Sequence, residues 1–262
     1  MKMQEDAAIV GNRVLQGDYY QVDLACPGIA AQVQPGQFVH IKLPLFEHRV
    51  LRRPFSVYDV DIETGRLSII YKIVGEGTAH LATLAPGTTA DVMGPLGVGF
   101  SEPAADRTPI LVAGGYGCAA TYLLAKRSPA PCRVLIGGRS RGDILLADAF
   151  AALGSEVRIA TEDGSQGHHG LVTDLLSEAL SADPPAPAIC ACGPNPMLKA
   201  VAEIALARGL DAEISLDHAM CCGVGACFAC VVKMKADGPD GWKYVRTCLE
   251  GPVFKASRTC WD

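Results

Sequence analysis

The chain has 262 residues, which is enough for two domains and a small additional segment. Its formal net charge is −5 and it has no run of lysine or arginine, which argues against a nucleic-acid partner. The most apolar stretch, residues 110–125, is interrupted by glycines and is too short to span a bilayer. The first residues also lack the apolar core of a secretory signal. We therefore expect a cytoplasmic protein without a membrane segment.

Residues 1–102 contain short β-type runs separated by turns such as Pro35-Gly36 and Pro86-Gly87. Helical periodicity is confined to residues 78–84 in this section. The pattern predicts an antiparallel β-barrel domain. The clearest strand-like runs are 19–24, 37–43, 54–60 and 66–74.

Residues 103–216 show a different pattern, because apolar strand-like runs now alternate with helical runs. This alternation predicts an α/β domain with a parallel sheet and helices on both faces. The strand-like runs are 110–113, 133–138, 156–160, 188–192 and 212–216, and the helical runs are 118–127, 144–153, 171–180 and 196–208.

The last segment, 217–262, contains the most specific motif. Cys222, Cys227, Cys230 and Cys248 follow the spacing C-x4-C-x2-C-x17-C, the plant-type ferredoxin arrangement that holds a [2Fe-2S] cluster. A structural zinc site usually needs two C-x2-C pairs and only one is present, so zinc and a disulfide are the less favoured alternatives. Because this segment has too few apolar residues for its own core, we expect the metal to organise it.

Two motifs in the barrel section suit a nucleotide with a planar ring. Residues 52–57 place arginines, which can bind phosphate, beside Ser56, whose hydroxyl can hydrogen-bond a ring edge. Residues 71–80 run from a strand into a glycine turn and a short helix, where Gly77 and Thr78 offer groups for a pyrophosphate. An exposed arginine pair and an ordinary turn with a helix cap are the alternatives.

Two glycine motifs in the second section each follow a strand and open a helix. Gly114-Gly115-Tyr116-Gly117 and Cys192-Gly193-Pro194 both lie at carboxyl ends of predicted parallel strands, where open α/β sheets bind ligands. Each can bring a dinucleotide close to a helix N-terminus. Cys192 itself either is buried or lies beside a nicotinamide ring.

Arg53-Pro-Phe-Ser, Val74-Gly-Glu-Gly-Thr, Gly-Gly-x-Gly and Cys-Gly-Pro, in this order, resemble the motifs of the ferredoxin-NADP reductase superfamily. The cysteine motif, followed by Cys248-Leu-Glu-Gly-Pro-Val-Phe, resembles the electron-transfer subunits of bacterial NAD-linked (class 1B) dihydroorotate dehydrogenases. The resemblance covers essentially the whole chain.

This resemblance implies a function in pyrimidine biosynthesis. Electrons from dihydroorotate oxidation in an FMN-containing catalytic partner subunit would pass through [2Fe-2S] and FAD to NAD, in a heterotetramer with two copies of each subunit. It implies FAD contacts from Arg53, Pro54, Phe55, Ser56, Ile70, Tyr71, Lys72, Gly77 and Thr78, with Ser56 as the catalytic residue at the flavin's reactive edge. The cluster ligands would be Cys222, Cys227, Cys230 and Cys248. We place the NAD contacts in the two glycine motifs, at Gly114, Gly115, Gly117, Cys192, Gly193 and Pro194.

The sequence departs from the family pattern at three places. Cys221 stands where an alanine is usual and adds a thiol that could compete for iron. Tyr116 and Ala119-Ala120 differ from the family pattern at the Gly114–Gly117 turn and just after it. Two other functions remain open. One is a flavin and iron–sulfur reductase subunit of another complex, linked to ferredoxin, sulfur species or a hydrogenase. The other is a non-enzymatic zinc or redox-sensing module.

Overall fold

The computed structural model describes residues 3–46, 48–182, 184–216 and 218–261. The outer limits of the predicted domains, at residues 1 and 262, and the predicted junction at residue 217 lie outside the described residues. The described chain forms a closed barrel, a seven-stranded sheet with helices, and a two-stranded hairpin. The predicted fold class is therefore confirmed.

The first domain is a six-stranded antiparallel barrel in the order β1-β2-β5-β4-β3-β6, closed by pairing of β6 with β1. Side chains alternate between the barrel core and the outside, as in Phe38, Val39, His40 and Ile41 of the third strand, where Val39 and Ile41 face the core. The strands are β1 (Met3–Gln16), β2 (Tyr19–Ala25), β3 (Phe38–Lys42), β4 (Arg53–Asp61), β5 (Arg66–Lys72) and β6 (Thr89–Leu96), with short helices α1 (Pro27–Ala30) and α2 (Glu76–Thr83).

The second domain contains a parallel sheet whose strand order reverses beside its first strand. In chain order its elements are β7 (Thr108–Gly114), α3 (Gly117–Arg127), β8 (Arg133–Gly138), α4 (Ala147–Ala152), β9 (Glu156–Thr161), β10 (His168–His169), α5 (Val172–Ser181), β11 (Pro187–Cys192), α6 (Asn195–Ala207) and β12 (Ala212–Ser215). Strand β7 lies between β8 and β11, so a crevice opens at the carboxyl ends of β7 and β11.

The C-terminal segment shares the cores of both domains. Strands β13 (Val231–Lys235) and β14 (Trp242–Arg246) form a hairpin, and β15 (Val253–Lys255) pairs antiparallel with β12 at the edge of the parallel sheet. Met234 belongs to the core of that sheet, whereas Cys230 and Cys248 pack with Phe38 of the barrel. The segment is thus held by protein packing on two sides, in addition to any metal.

A buried polar contact joins the barrel to the second domain. Tyr19 of β2 donates a hydrogen bond to Asp143 at 2.8 Å, and Lys72 of β5 lies 3.4 Å from the same carboxylate. Burial raises the pKa of Asp143, but hydrogen bonds from Tyr19 and Lys72 outweigh it and hold that pKa below its usual value of 3.8. Among the described residues, no helix is long and apolar enough to cross a membrane.

Asp143→Asn should lower the free energy of unfolding by about 1 kcal/mol, because it removes the charge that faces Lys72. A carboxylate with a depressed pKa stabilises the fold at every pH above its unfolded pKa and loses this effect as pH falls through the folded pKa. The difference between native and variant should therefore stay constant from about pH 8 to about pH 5. Denaturant unfolding at several pH values measures it, and a difference that disappears by about pH 5 would contradict the assignment.

Candidate functional site

Two barrel motifs, one on β4 and one on α2, meet at the first turn of α2. The Arg53 side chain packs on Gly77, where an added Cβ atom would lie 2.9 Å from Arg53 Nε. A guanidinium and the free N–H groups of a helix N-terminus are thus next to each other, which suits a pyrophosphate. The Thr78 hydroxyl accepts hydrogen bonds from the backbone N–H groups of Val74 (2.9 Å) and Gly75 (3.3 Å), so it also caps this helix.

The side chains of the proposed flavin-contacting residues point in different directions. Phe55 and Tyr71 lie in the barrel core, with ring centroids 6.0 Å apart, so they can meet a ligand outside the barrel only through their backbone. Pro54 and Ser56 alternate to the other face of β4 and are partly exposed. Ile70 is buried in the cluster of side chains that joins the barrel to the second domain.

The two glycine motifs of the second domain touch each other. Strand β7 ends at Gly114, Gly115 has φ 55°, and α3 begins at Gly117, while Cys192 ends the neighbouring strand β11. An added Cβ atom on Gly117 would lie 2.2 Å from the Cys192 carbonyl oxygen, and one on Gly114 would lie 2.9 Å from Pro194 Cδ. Only glycine permits this approach, which forms the crevice at the point where the strand order reverses.

Cys192 and Cys118 are both buried beside this crevice. A Cβ atom on Gly193 would lie 2.5 Å from Met197 Cε, and Met197 packs against the core of the parallel sheet. Cys118, in the first turn of α3, has its pKa raised to about 12 by burial and by the nearby Cys192. Both thiols are therefore buried at the floor of the crevice.

The cysteine loop, residues 221–230, directs backbone N–H groups at one sulfur. Cys222 Sγ accepts hydrogen bonds from the N–H groups of Val224 (3.5 Å) and Ala226 (3.3 Å). Burial alone would raise the pKa of the Cys222 thiol, but these hydrogen bonds and that of Cys227 lower it to about 6. Gly223 and Gly225, with φ 70° and 83°, give the loop this shape. The loop therefore stabilises a thiolate, the form that binds metal.

The four cysteines of the motif come together as two pairs. Cys222 interacts with Cys227 through their side chains, and Cys230 interacts in the same way with Cys248. No three Cys, His, Asp or Glu side chains in the described part of the chain converge tightly enough to hold one metal ion. Two pairs of thiols match a two-iron cluster better than a single tetrahedral zinc, whose four sulfurs surround one point.

An ion pair supports the cysteine loop from the hairpin. Arg246, at the end of β14, donates to the Gly225 carbonyl oxygen at 3.1 Å and pairs with Glu250 at 2.7 Å. The Arg246 hydrogen bond lowers the pKa of Glu250, so the pair stays charged at neutral pH. Arg246 also lies over the ring of Phe228, 5.1 Å from its centroid.

The cysteine loop lies directly on the barrel beside the Arg53 motif. A Cβ atom on Gly223 would lie 2.7 Å from the ring of His40 on β3, and His40 is paired in register with Pro54 of β4. A surface cleft lined by residues 48–54 and Met220 also joins the two regions. The cysteine loop and the Arg53 motif are therefore adjacent on the barrel surface.

Comparison with known proteins identifies two regions of the chain and its family. Residues 12–100 match the model of the oxidoreductase FAD-binding domain, and residues 217–260 match the iron-sulfur cluster binding domain of dihydroorotate dehydrogenase B. The chain is 40% identical over 261 residues to the dihydroorotate dehydrogenase B (NAD(+)) electron transfer subunit of Enterococcus faecalis, covering 98% of each chain. It is also 40% identical to the subunit of that name from Geobacillus kaustophilus, covering 97% of each. The chain belongs to this family of electron transfer subunits.

Solved structures show the same fold. An NADH-dependent reduced ferredoxin-NADP oxidoreductase, studied for flavin-based electron bifurcation, superposes with a TM-score of 0.80 at 28% identity, covering 97% of this chain and 90% of that one. The ferredoxin reductase of carbazole 1,9a-dioxygenase superposes with a TM-score of 0.69 at 23% identity, covering 80% and 67%. The second likeness concerns the fold alone. The chain thus combines an FAD-binding barrel with an iron–sulfur cluster binding domain.

Sequence reasoning did not find three residues that shape the cluster-binding region of this family member. Arg246 and Glu250 are four residues apart and form an ion pair, but only the hairpin brings Arg246 to Gly225. His40 lies in a strand predicted from its apolar neighbours, and no local pattern relates it to a loop more than 180 residues away. The one signal in the sequence was the spacing of Arg246 and Glu250, two opposite charges four residues apart, which is typical of an ion pair.

Arg246→Ala should make cluster loss several-fold faster, because Gly225 loses its donor and Glu250 loses its cation. The decay of visible absorption on exposure to a chelator measures this rate. Lys243→Ala, on the exposed part of the same strand, is the matched control and should leave the rate unchanged. Equal rates in both variants would show that Arg246 does not support the loop.

Proposed function

We propose that this chain carries electrons from dihydroorotate, oxidised in an FMN-containing catalytic partner subunit, through a [2Fe-2S] cluster and FAD to NAD in pyrimidine biosynthesis. One observation carries the proposal: the barrel contacts the cysteine loop beside the Arg53 motif and also contacts the glycine crevice of the second domain. The loop lies against β3 next to Pro54, and Tyr19 of the barrel lies 3.6 Å from the Cβ position of Gly115. Family membership supports the same assignment.

The proposed cluster ligands act as two pairs. Cys222 and Cys227 would hold one iron and Cys230 and Cys248 the other, because each pair is already in contact. The N–H groups around Cys222 stabilise negative charge on the sulfurs. Cys227 is exposed, so one edge of this site is open to a partner protein.

The proposed FAD site lies outside β4 and β5. Arg53 and Gly77 would bind the pyrophosphate at the N-terminus of α2, with Thr78 holding that turn in shape. Ser56, on the outer face of β4, is the candidate donor to the reactive edge of the flavin. Backbone groups would come from Phe55, Ile70 and Tyr71, whose side chains are buried. Lys72 would contribute a positive charge on the side of the site next to Asp143 of the second domain. Bound FAD exchanges single electrons with a cluster and electron pairs with a nicotinamide.

The proposed NAD site is the crevice between β7 and β11. Gly114, Gly115 and Gly117 leave room for a pyrophosphate at the start of α3. Gly193 and Pro194 form the facing wall, and Cys192 lies beneath it. Since Tyr19 of the barrel adjoins Gly115, a nicotinamide in this crevice would be near the flavin.

Domain limits of 1–102, 103–216 and 217–262 are proposed for the three functional parts. The barrel strands end at Leu96 and β7 begins at Thr108, while the sheet strand β12 ends at Ser215. We further place the chain in a cytoplasmic heterotetramer with two copies of each subunit. The cysteines of the described residues form no disulfide, which agrees with a reducing cytosol.

Co-expression with a dihydroorotate dehydrogenase catalytic subunit tests the proposal. The complex should form orotate from dihydroorotate while it reduces NAD, whereas the chain alone should form no orotate because it lacks that catalytic site. The chain alone should still pass electrons from NADH to an artificial acceptor. Orotate formation by the chain alone, or a complex that cannot reduce NAD, would contradict the proposal.

A second candidate is a reductase subunit that serves another complex. The likeness to an NADH-dependent reduced ferredoxin-NADP oxidoreductase over 97% of the chain favours it. The two candidates separate in the same assay, with ferredoxin in place of the catalytic subunit. Efficient NADH-dependent reduction of ferredoxin, without coupling to dihydroorotate, would support this candidate instead.

Replacement of single cysteines tests the ligand set. Cys222→Ser should abolish or destabilise the cluster, because its sulfur receives the loop N–H groups. Cys221→Ser is the matched control and should retain the cluster. Iron and sulfide content with visible absorption measure the outcome. The reverse result would move the ligand by one residue.

A further inference from the structure

His40 is a fully buried imidazole without a hydrogen-bond partner. Its exposed fraction is 0%, and neither Nδ1 nor Nε2 has a partner among the described residues. An unpaired buried polar group costs free energy, and native proteins seldom leave one without a reason. The ring is therefore placed for a group that the protein binds.

The ring of His40 faces the cysteine loop. Phe38 and His40 alternate to the outer face of β3, while Val39 lies in the barrel core. Phe38 packs with Cys230 and Cys248, and the His40 ring lies against Gly223, whose Cβ position is 2.7 Å from Nδ1. This face of β3 thus packs against Cys230 and Cys248 and against Gly223, which follows Cys222.

The charged side chain near the His40 ring has only hydrogen-bond donors, so it cannot accept an N–H from the imidazole. Arg52 is the neighbour whose charge affects the ring, and its guanidinium donates instead to Asp91. An imidazole carries at least one N–H in either protonation state. The acceptor must therefore come from the bound group, and Gly223, against which the ring lies, directly follows the proposed cluster ligand Cys222.

We propose that His40 donates an N–H hydrogen bond to a sulfur of the iron–sulfur cluster on its Cys222 side and thereby raises the cluster's reduction potential. Reduction adds negative charge to the cluster, and a hydrogen bond to sulfur stabilises that charge. This inference rests on the cluster of the proposed function. His40 is paired with Pro54 of the Arg53 motif, so it lies between the cysteine loop and the proposed flavin site.

Pulsed EPR on the chemically reduced full-length protein, labelled with ¹⁵N-histidine, tests the contact. The native protein should show a ¹⁵N coupling to the reduced cluster, and His40→Leu should lose it. His218→Gln is the matched control, because His218 is the histidine nearest to Cys222 in sequence, and it should retain the coupling. Absence of the coupling in native protein, or its loss in His218→Gln alone, would overturn the inference.

An EPR-monitored redox titration tests the effect on potential. His40→Leu should shift the cluster to a more negative potential, and His40→Gln, which keeps an N–H donor, should shift it less. The variant His218→Gln should match native protein. A His40→Leu potential equal to native would overturn the tuning role.

Iron and sulfide content separate this inference from the proposed function. If His40→Leu takes up no cluster, the native protein and His218→Gln still decide through their ¹⁵N coupling. A native protein that binds iron and sulfide but shows no histidine coupling overturns this inference alone. A native protein without iron and sulfide overturns both.

Discussion

The structure depends on the packing of a C-terminal segment that has too few apolar residues for a core of its own. Met234 completes the core of the parallel sheet, while Cys230 and Cys248 pack with Phe38 and Leu96 of the barrel. Strand β15 adds to the sheet edge. Because burial against two domains supplies the free energy that the segment lacks, the cysteine loop has a fixed position relative to both.

This fixed position has an electrostatic consequence for metal binding. The loop directs N–H groups at Cys222, and Arg246, paired with Glu250, donates a hydrogen bond to the Gly225 carbonyl. Thiolates and a reduced cluster are anionic. Hydrogen-bond donors that already point at the sulfurs therefore lower the free energy needed to bring several negative charges together. The same arrangement explains why the loop needs glycine at φ 70° and 83°, where other residues would be strained.

The relation between the two domains follows from strand order and one polar contact. Strand order reverses at β7, so the glycine crevice opens at the carboxyl ends of β7 and β11, where Gly115 lies next to Tyr19 of β2. The contact of Tyr19 and Lys72 with Asp143 then joins those barrel strands to the turn after β8. A ligand in the crevice and one outside β5 would consequently be neighbours.

The sequence alone determined the fold class, the cysteine spacing and the two glycine motifs, because each depends on local periodicity or short spacing. It did not delimit β1, whose side chains are largely exposed, the short hairpin strands β13 and β14, or β15, which forms by pairing with the distant strand β12. Only the tertiary structure decided that Phe55 and Tyr71 face the barrel core and that His40 faces Gly223. Contacts between residues far apart in sequence arise from packing, which no local pattern records.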